Sequence, residues 1–183
     1  GNKVTIYDVK NMGYSEFYQI YIEGPKMEMV NSIIDSFDGI VEFDKDAVRE
    51  YVKNNMNMQS SDVVIKELIY DYFLSNGIIS DELKSKITSD LVSQFTLEDG
   101  SHFKGKTIKF KSTNKIAEFI FSSNDIRLKE NISIDFTDCK SFGEVYMKFI
   151  SSSIEVKLTD EIKTKLGTTD NYITLDKIKK YGY

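Results

Sequence analysis

What most constrains this chain is a change of rhythm near its midpoint. Up to about residue 96 the apolar residues fall mainly at helical spacing, and beyond about residue 106 they alternate in short runs between helical pieces. Val64, Ile65, Leu68, Ile69, Tyr72 and Phe73 form one stripe, which predicts a helix closed by Asn76-Gly77. Leu83, Ile87, Leu91 and Phe95 stand four apart and predict a second helix, with Ser80 as its N-cap and Asp81 and Glu82 in its first turn. The two stripes are expected to meet, burying Leu68, Ile69, Leu83 and Ile87.

Around this pair the pattern predicts strands at Lys3–Val9 and Phe17–Glu23, then a break at Gly24-Pro25. A helix carrying Met27, Val30, Ile33, Ile34 and Phe37 follows, then a turn at Asp38-Gly39, a short strand Ile40–Phe43, and a helix capped by Asp44. In the second half, strands are expected at Lys106–Lys111, Asn131–Phe136 and Ile154–Leu158. Helices are expected over Lys115–Ser122, from the capping box Ser141-Phe142-Gly143-Glu144, after Thr159, and over Thr174–Tyr181. The fold class this implies is α+β (mixed α/β): a helical N-terminal half with short strands, and a C-terminal βαβαβα half forming a small sheet flanked by helices. Over residues 105–166 the order of elements resembles that of STAS-like regulatory domains, a likeness of topology that brings no motif and assigns no family.

Charge follows the same division. Residues 1–98 carry 17 acids against 9 bases, whereas residues 99–183 carry 12 acids against 15 bases. The turn-rich stretch Glu98-Asp99-Gly100-Ser101 lies at the change, so a boundary is placed there: an acidic, mainly helical subdomain over 1–99 and a strand–helix subdomain over 100–183, or both within one compact domain. A single cysteine (Cys139) excludes an internal disulfide framework, and a single histidine (His102) removes most zinc and histidine-dependent catalytic arrangements. No apolar run approaches the ~20 residues of a membrane span. With no apolar leader at the start and an unpaired thiol, a cytosolic location is expected. The 22 lysines against two arginines, Arg49 and Arg127, and only two alanines fit an AT-rich gene of bacterial or phage origin.

The sharpest local pattern is Gly100-Ser101-His102-Phe103-Lys104-Gly105-Lys106-Thr107, a match to the phosphate-binding loop G-x-x-x-x-G-K-[ST]. That loop works only where a helix begins behind the Lys-Thr pair, because the free N–H groups of the helix end hold the phosphates. Here Ile108-Lys109-Phe110-Lys111 alternates like a strand, so the motif is read as a Gly-containing turn and no cofactor is assigned. Lys104, Lys106, Lys109 and Lys111 are nevertheless candidate anion-binding residues. Together with the preceding helices, residues 62–111 have the succession of a winged helix, whose lysines would meet nucleic-acid phosphates. Against this, Thr88–Phe95 carries no base. Acids at Asp35, Asp38, Glu42, Asp44, Asp46 and Glu50 fall on several elements, read as caps and solvated faces, and no metal site is assigned.

No catalytic constellation emerges from the residues. The expected function is that of a small cytosolic, non-enzymatic protein that binds another macromolecule as a regulator, inhibitor or immunity-type factor. A protein partner is expected ahead of nucleic acid. The candidate partner-binding residues are Glu42, Asp46 and Glu50, whose neighbours Val41, Phe43, Ala47, Val48 and Tyr51 supply an inward apolar set.

Overall fold

The structure, a computed structural model, describes residues 22–96, 103–114 and 117–183, with the side chains of residues 22 and 23 set aside. The strands expected at Lys3–Val9 and Phe17–Glu23 fall outside these residues apart from the last two positions. So do the boundary stretch 98–101, His102 and the first two residues of the helix expected from Lys115. Among the described residues the fold is α+β, with helices in the N-terminal half and two small antiparallel sheets with further helices in the C-terminal half. It divides into two compact units. One holds the described residues up to Leu83 together with Lys140–Phe142; the other holds Lys84–Cys139 and Gly143–Tyr183.

The first unit is built on three helices, α1 (Met27–Asp35), α2 (Lys45–Asn55) and α3 (Asp62–Ser75), each packed on the other two. Capping explains where they start. The Asp44 carboxylate accepts the N–H groups of Asp46 and Ala47, and the Ser61 hydroxyl accepts that of Val64, so orphan donors of each first turn are satisfied. Helix α3 ends as its sequence requires, at Asn76 and a left-handed Gly77 with φ +67°. Val30, Ile34, Phe37, Val48, Val52, Ile65, Ile69 and Phe73 are completely buried. At their centre Phe37 packs edge-on to Tyr70 and Phe73, with ring centroids 5.7 and 5.3 Å apart. Phe142 belongs to this unit: its ring stacks on Tyr70 at 5.8 Å, and its N–H donates to the Asp71 carboxylate over 2.5 Å.

Helix α4 (Asp81–Phe95) starts where Ser80 accepts the Leu83 N–H over 3.0 Å. Leu83, Ile87 and Leu91 are all completely buried, and Ile69 is too, but Leu68 is only half-buried. The interface expected from these stripes is therefore revised. Of the four residues expected at it, Ile69, Leu83 and Ile87 are buried and Leu68 is at the margin, and α3 packs on α1 and α2.

In the second unit β1 (Thr107–Lys111) pairs antiparallel with β2 (Glu118–Ser122), from Thr107 opposite Ser122 to Lys111 opposite Glu118. The helix expected over Lys115–Ser122 is thus replaced by a strand. Phe119 and Phe121 are buried while Ile120 between them is 63% exposed, the period-two burial of a sheet rather than of a helix. A second sheet has the order β3–β4–β5, from Ile126–Leu128, Ile154–Lys157 and Tyr172–Thr174, with both pairs antiparallel. Ile126, Leu128, Ile154, Val156 and Ile173 make its buried face, and the short helix α7 (Leu175–Lys179) packs on β4 and β5 through elements that bury Leu175 and Ile178. Between these strands lie α5 (Phe142–Ser153) and α6 (Asp160–Leu166), the latter capped by Thr159 and closed by a left-handed Gly167. The strands expected at Ile40–Phe43 and Asn131–Phe136 carry no ladder among the described residues, although the second keeps its alternation in part, with Ile134 buried between exposed Ser133 and Asp135. The STAS-like order of elements does not survive these changes: two antiparallel sheets occupy the region.

Two measurements check this packing. Ile69→Ala is expected to cost ~2–5 kcal/mol in chemical denaturation, and Leu68→Ala clearly less. The Ser153 hydroxyl is completely buried and finds no hydrogen-bond partner among the described residues. Ser153→Ala is accordingly expected to raise stability by ~0.5–1 kcal/mol, since it removes a desolvated polar group and adds a better helix former; a loss of similar size would show that the hydroxyl is bonded after all.

Candidate functional site

The acidic candidates sit where α1 hands the chain to α2. Phe37, buried two residues past the end of α1, accepts the N–H groups of Ile40 and Val41 at 3.0 and 3.5 Å, and Gly39 takes φ +77° to close the turn. The chain then runs extended to the Asp44 cap, placing Glu42 in solvent and Phe43 half-buried against Phe73 at 5.1 Å. On α2, Asp46 and Glu50 stand one turn apart on one exposed side, while Val48 and Val52 point into the core. The three acids are exposed; of the apolar set expected to face inward only Val48 is buried, and Val41, Phe43, Ala47 and Tyr51 are half-buried.

The acids differ in what they meet. Lys45 reaches Asp38 at 2.8 Å and Asp35 at 3.0 Å. The hydrogen bonds to Asp38 and then Asp35 hold its ammonium above the ordinary lysine range. These two carboxylates therefore face an ammonium group, which gives them a structural use in joining α1 to α2. Asp46, 91% exposed, pairs with Arg49, whose Nε also donates to Asn31 of α1 at 2.6 Å. Glu42 and Glu50 form no ion pair with any described residue.

The lysine candidates lie on the β1–β2 hairpin and the turn before it. Lys106 donates its N–H to the Phe103 carbonyl over 2.9 Å, with Gly105 at φ +73° between them, and β1 begins at Thr107. A strand thus stands where a phosphate-binding loop needs a helix, and Thr107 is paired to Ser122 instead. Lys104, Lys106, Lys109 and Lys111 are all exposed. Glu118 on β2 meets Lys109 at 3.1 Å and Lys111 at 3.9 Å, so one carboxylate answers part of the charge of the run. Both arginines are occupied as well. Arg127 donates to Glu155 over 2.7 Å and lies 3.3 Å from the Tyr172 ring centroid, leaving neither guanidinium free to read a base edge. Cys139 is buried, and burial pushes its thiol above the usual range, the setting of an unreactive cysteine.

One feature of the acidic unit was not visible in the sequence. Gly39, Ile40, Val41 and Glu42 form one wall of an open cleft of about 780 Å³, and Gly77, Ile78, Ile79 and Ser80 form the other. The Ser80 hydroxyl joins them by donating to the Ile40 carbonyl over 2.6 Å. Each wall follows a turn that is legible by itself, Asp38-Gly39 and Asn76-Gly77, but nothing in their spacing says that the two lie side by side.

Comparison with known proteins finds no match to the chain among protein-family models, curated protein sequences or solved structures. Among the described residues no helix is long and apolar enough to cross a membrane.

The strand after Lys106 makes a direct prediction. Calorimetric titration with ATP or GTP and Mg²⁺ should give no saturable heat. Micromolar binding that Lys106→Ala abolishes would overturn the reading of residues 100–107 as a turn.

Proposed function

We propose that this chain is a small cytosolic protein that acts by binding another protein, as a regulator, inhibitor or immunity-type factor, through the acidic face bearing Glu42, Asp46 and Glu50. The observation that carries the reading is that these acids stand in solvent above an ordered apolar underside, and that Glu42 and Glu50 have no cation to answer them. Unanswered carboxylates on a rigid element favour the approach of a basic surface and act mainly on the rate of encounter. The lone buried thiol suits a reducing compartment.

A second reading rests on the hairpin. Exposed Lys104, Lys106, Lys109 and Lys111 on a turn and strand are the arrangement of a wing that contacts nucleic-acid phosphates, although Glu118 offsets two of them.

The experiment compares the two faces, using the partner recovered from the native organism. Replacing Glu42, Asp46 and Glu50 together with Ser should slow association at low salt. The difference should fade near 1 M salt, where the Debye length is ~3 Å, and the thermal midpoint should hardly move. Replacing Lys104, Lys106 and Lys109 with Ser is the control. If only the lysine variant weakens binding, the acidic-face reading fails and the hairpin takes its place.

A further inference from the structure

The cleft beside Glu42 has the features of a groove for an extended chain. Its first wall ends in extended backbone: Ile40 and Val41 are held in the turn by the Phe37 carbonyl, but the N–H groups of Glu42, which lines the cleft, and of Phe43, which follows it, donate to no described residue, and the same holds for Ile79 across the cleft. Unpaired extended backbone is the surface to which a further strand adds, because each new N–H···O=C bond satisfies a donor or acceptor that is otherwise held by water alone. Apolar side chains line the groove between these edges. Ile40, Val41 and Ile78 are half-buried, and Ile79 remains 42% exposed, which is more than a core isoleucine keeps. The Ser80 hydroxyl fixes the spacing of the two walls, since it donates to Ile40 and at the same time caps α4.

Charge selects the occupant. Glu42 lines one wall, exposed Glu82 follows two residues after Ser80, outside the lining, and the cleft is lined by no base. An open groove also covers too little of a small ligand to hold it well, whereas an extended peptide gains along its length. We infer that the cleft formed by Gly39–Glu42 and Gly77–Ser80 takes an extended segment of a partner protein in which lysine or arginine alternates with aliphatic residues. The backbone of that segment pairs with the extended backbone at Glu42, its aliphatic side chains meet Ile40 and Ile79, and its cations meet Glu42 and, just outside the cleft, Glu82. This rests on the reading of the acidic unit as the partner-binding face and names the part of that face which grips.

The probe is a blocked synthetic peptide of alternating lysine and valine, followed by amide chemical shifts of the isotope-labelled protein. Two companions accompany it: the same peptide with alternate backbone nitrogens methylated, and one with glutamate in place of lysine. The lysine peptide is expected to shift the amides of residues 40–43 and 77–80. Methylation, Glu42→Lys and Ile79→Ser should each weaken it by about tenfold, as expected for loss of a central contact, and the glutamate peptide should not bind. Both substituted side chains are exposed, so the variants fold. No binding, equal binding of the methylated peptide, or shifts spread evenly over every exposed acid including Glu50 would overturn the proposal. Native-partner association that is slowed by loss of Glu42, Asp46 and Glu50 but indifferent to Ile79→Ser would remove the groove and leave the acidic face standing.

Discussion

The acidic unit depends on how Phe37 is held. Its ring is completely buried, edge-on to Tyr70 and Phe73, and its carbonyl receives the N–H groups of Ile40 and Val41. Edge-to-face pairs of this kind contribute ~0.5–1.5 kcal/mol each beyond the burial of their area. The more important consequence is directional. With Phe37 fixed on α3, the chain leaving α1 must reverse through Gly39 and run extended to the Asp44 cap, and Phe43 fastens the far end by meeting the same Phe73. Glu42 lies between these two anchors. Its exposure follows from packing on either side of it, and so do the unpaired amides beside it.

Electrostatics then sort the charges into those that hold the fold and those that are left over. Lys45 joins Asp35 and Asp38, Arg49 joins Asp46 and Asn31, Arg127 joins Glu155 beneath Tyr172, and Lys177 meets Asp170, depressing that carboxyl below its usual range. Exposed pairs of this sort contribute little stability each, and their effect is to orient. Glu28, Glu42, Glu50 and Glu82 remain on the acidic unit and Lys106 on the turn before the hairpin, none of them ion-paired with a described residue. Net charge alone, −5 for the chain, does not reveal this distinction. The leftover charges are the ones a partner can meet without first breaking an internal pair, and this is why the functional reading centres on Glu42 and Glu50 more than on their paired neighbours.

What the sequence made legible was local. Asp44, Ser80 and Thr159 act as caps and Gly77 and Gly167 as left-handed closures, because each of these signals is complete within a few residues. What it hid was pairing between distant segments. Ala117, Ile120 and Phe121 can be fitted to a helical stripe, yet the alternation Phe119–Ile120–Phe121 is the one used, since β1 offers an edge whose other face needs covering by those phenylalanines. The alternation at Ile132 and Ile134 conversely leads to no strand among the described residues. Leu68 fits the α3 stripe but lies at its margin, so periodicity alone overstates its burial. The candidate residues were placed on the correct exposed sides by the same local logic, whereas the cleft needed two turns 38 residues apart in sequence, at Gly39 and Gly77, to come together.

The central claim is that the partner covers the α1–α2 connection and not the lysine hairpin. Amide hydrogen exchange on the protein, free and saturated with its native partner, tests it most directly, because it reports where backbone is covered without altering any charge. In the free protein the amides of Glu42 and Phe43 should exchange quickly, having no acceptor among the described residues. On binding, protection should appear over residues 38–50 and leave Lys104–Lys111 unchanged. Protection confined to the hairpin, with Glu42 and Phe43 exchanging as before, would contradict the account.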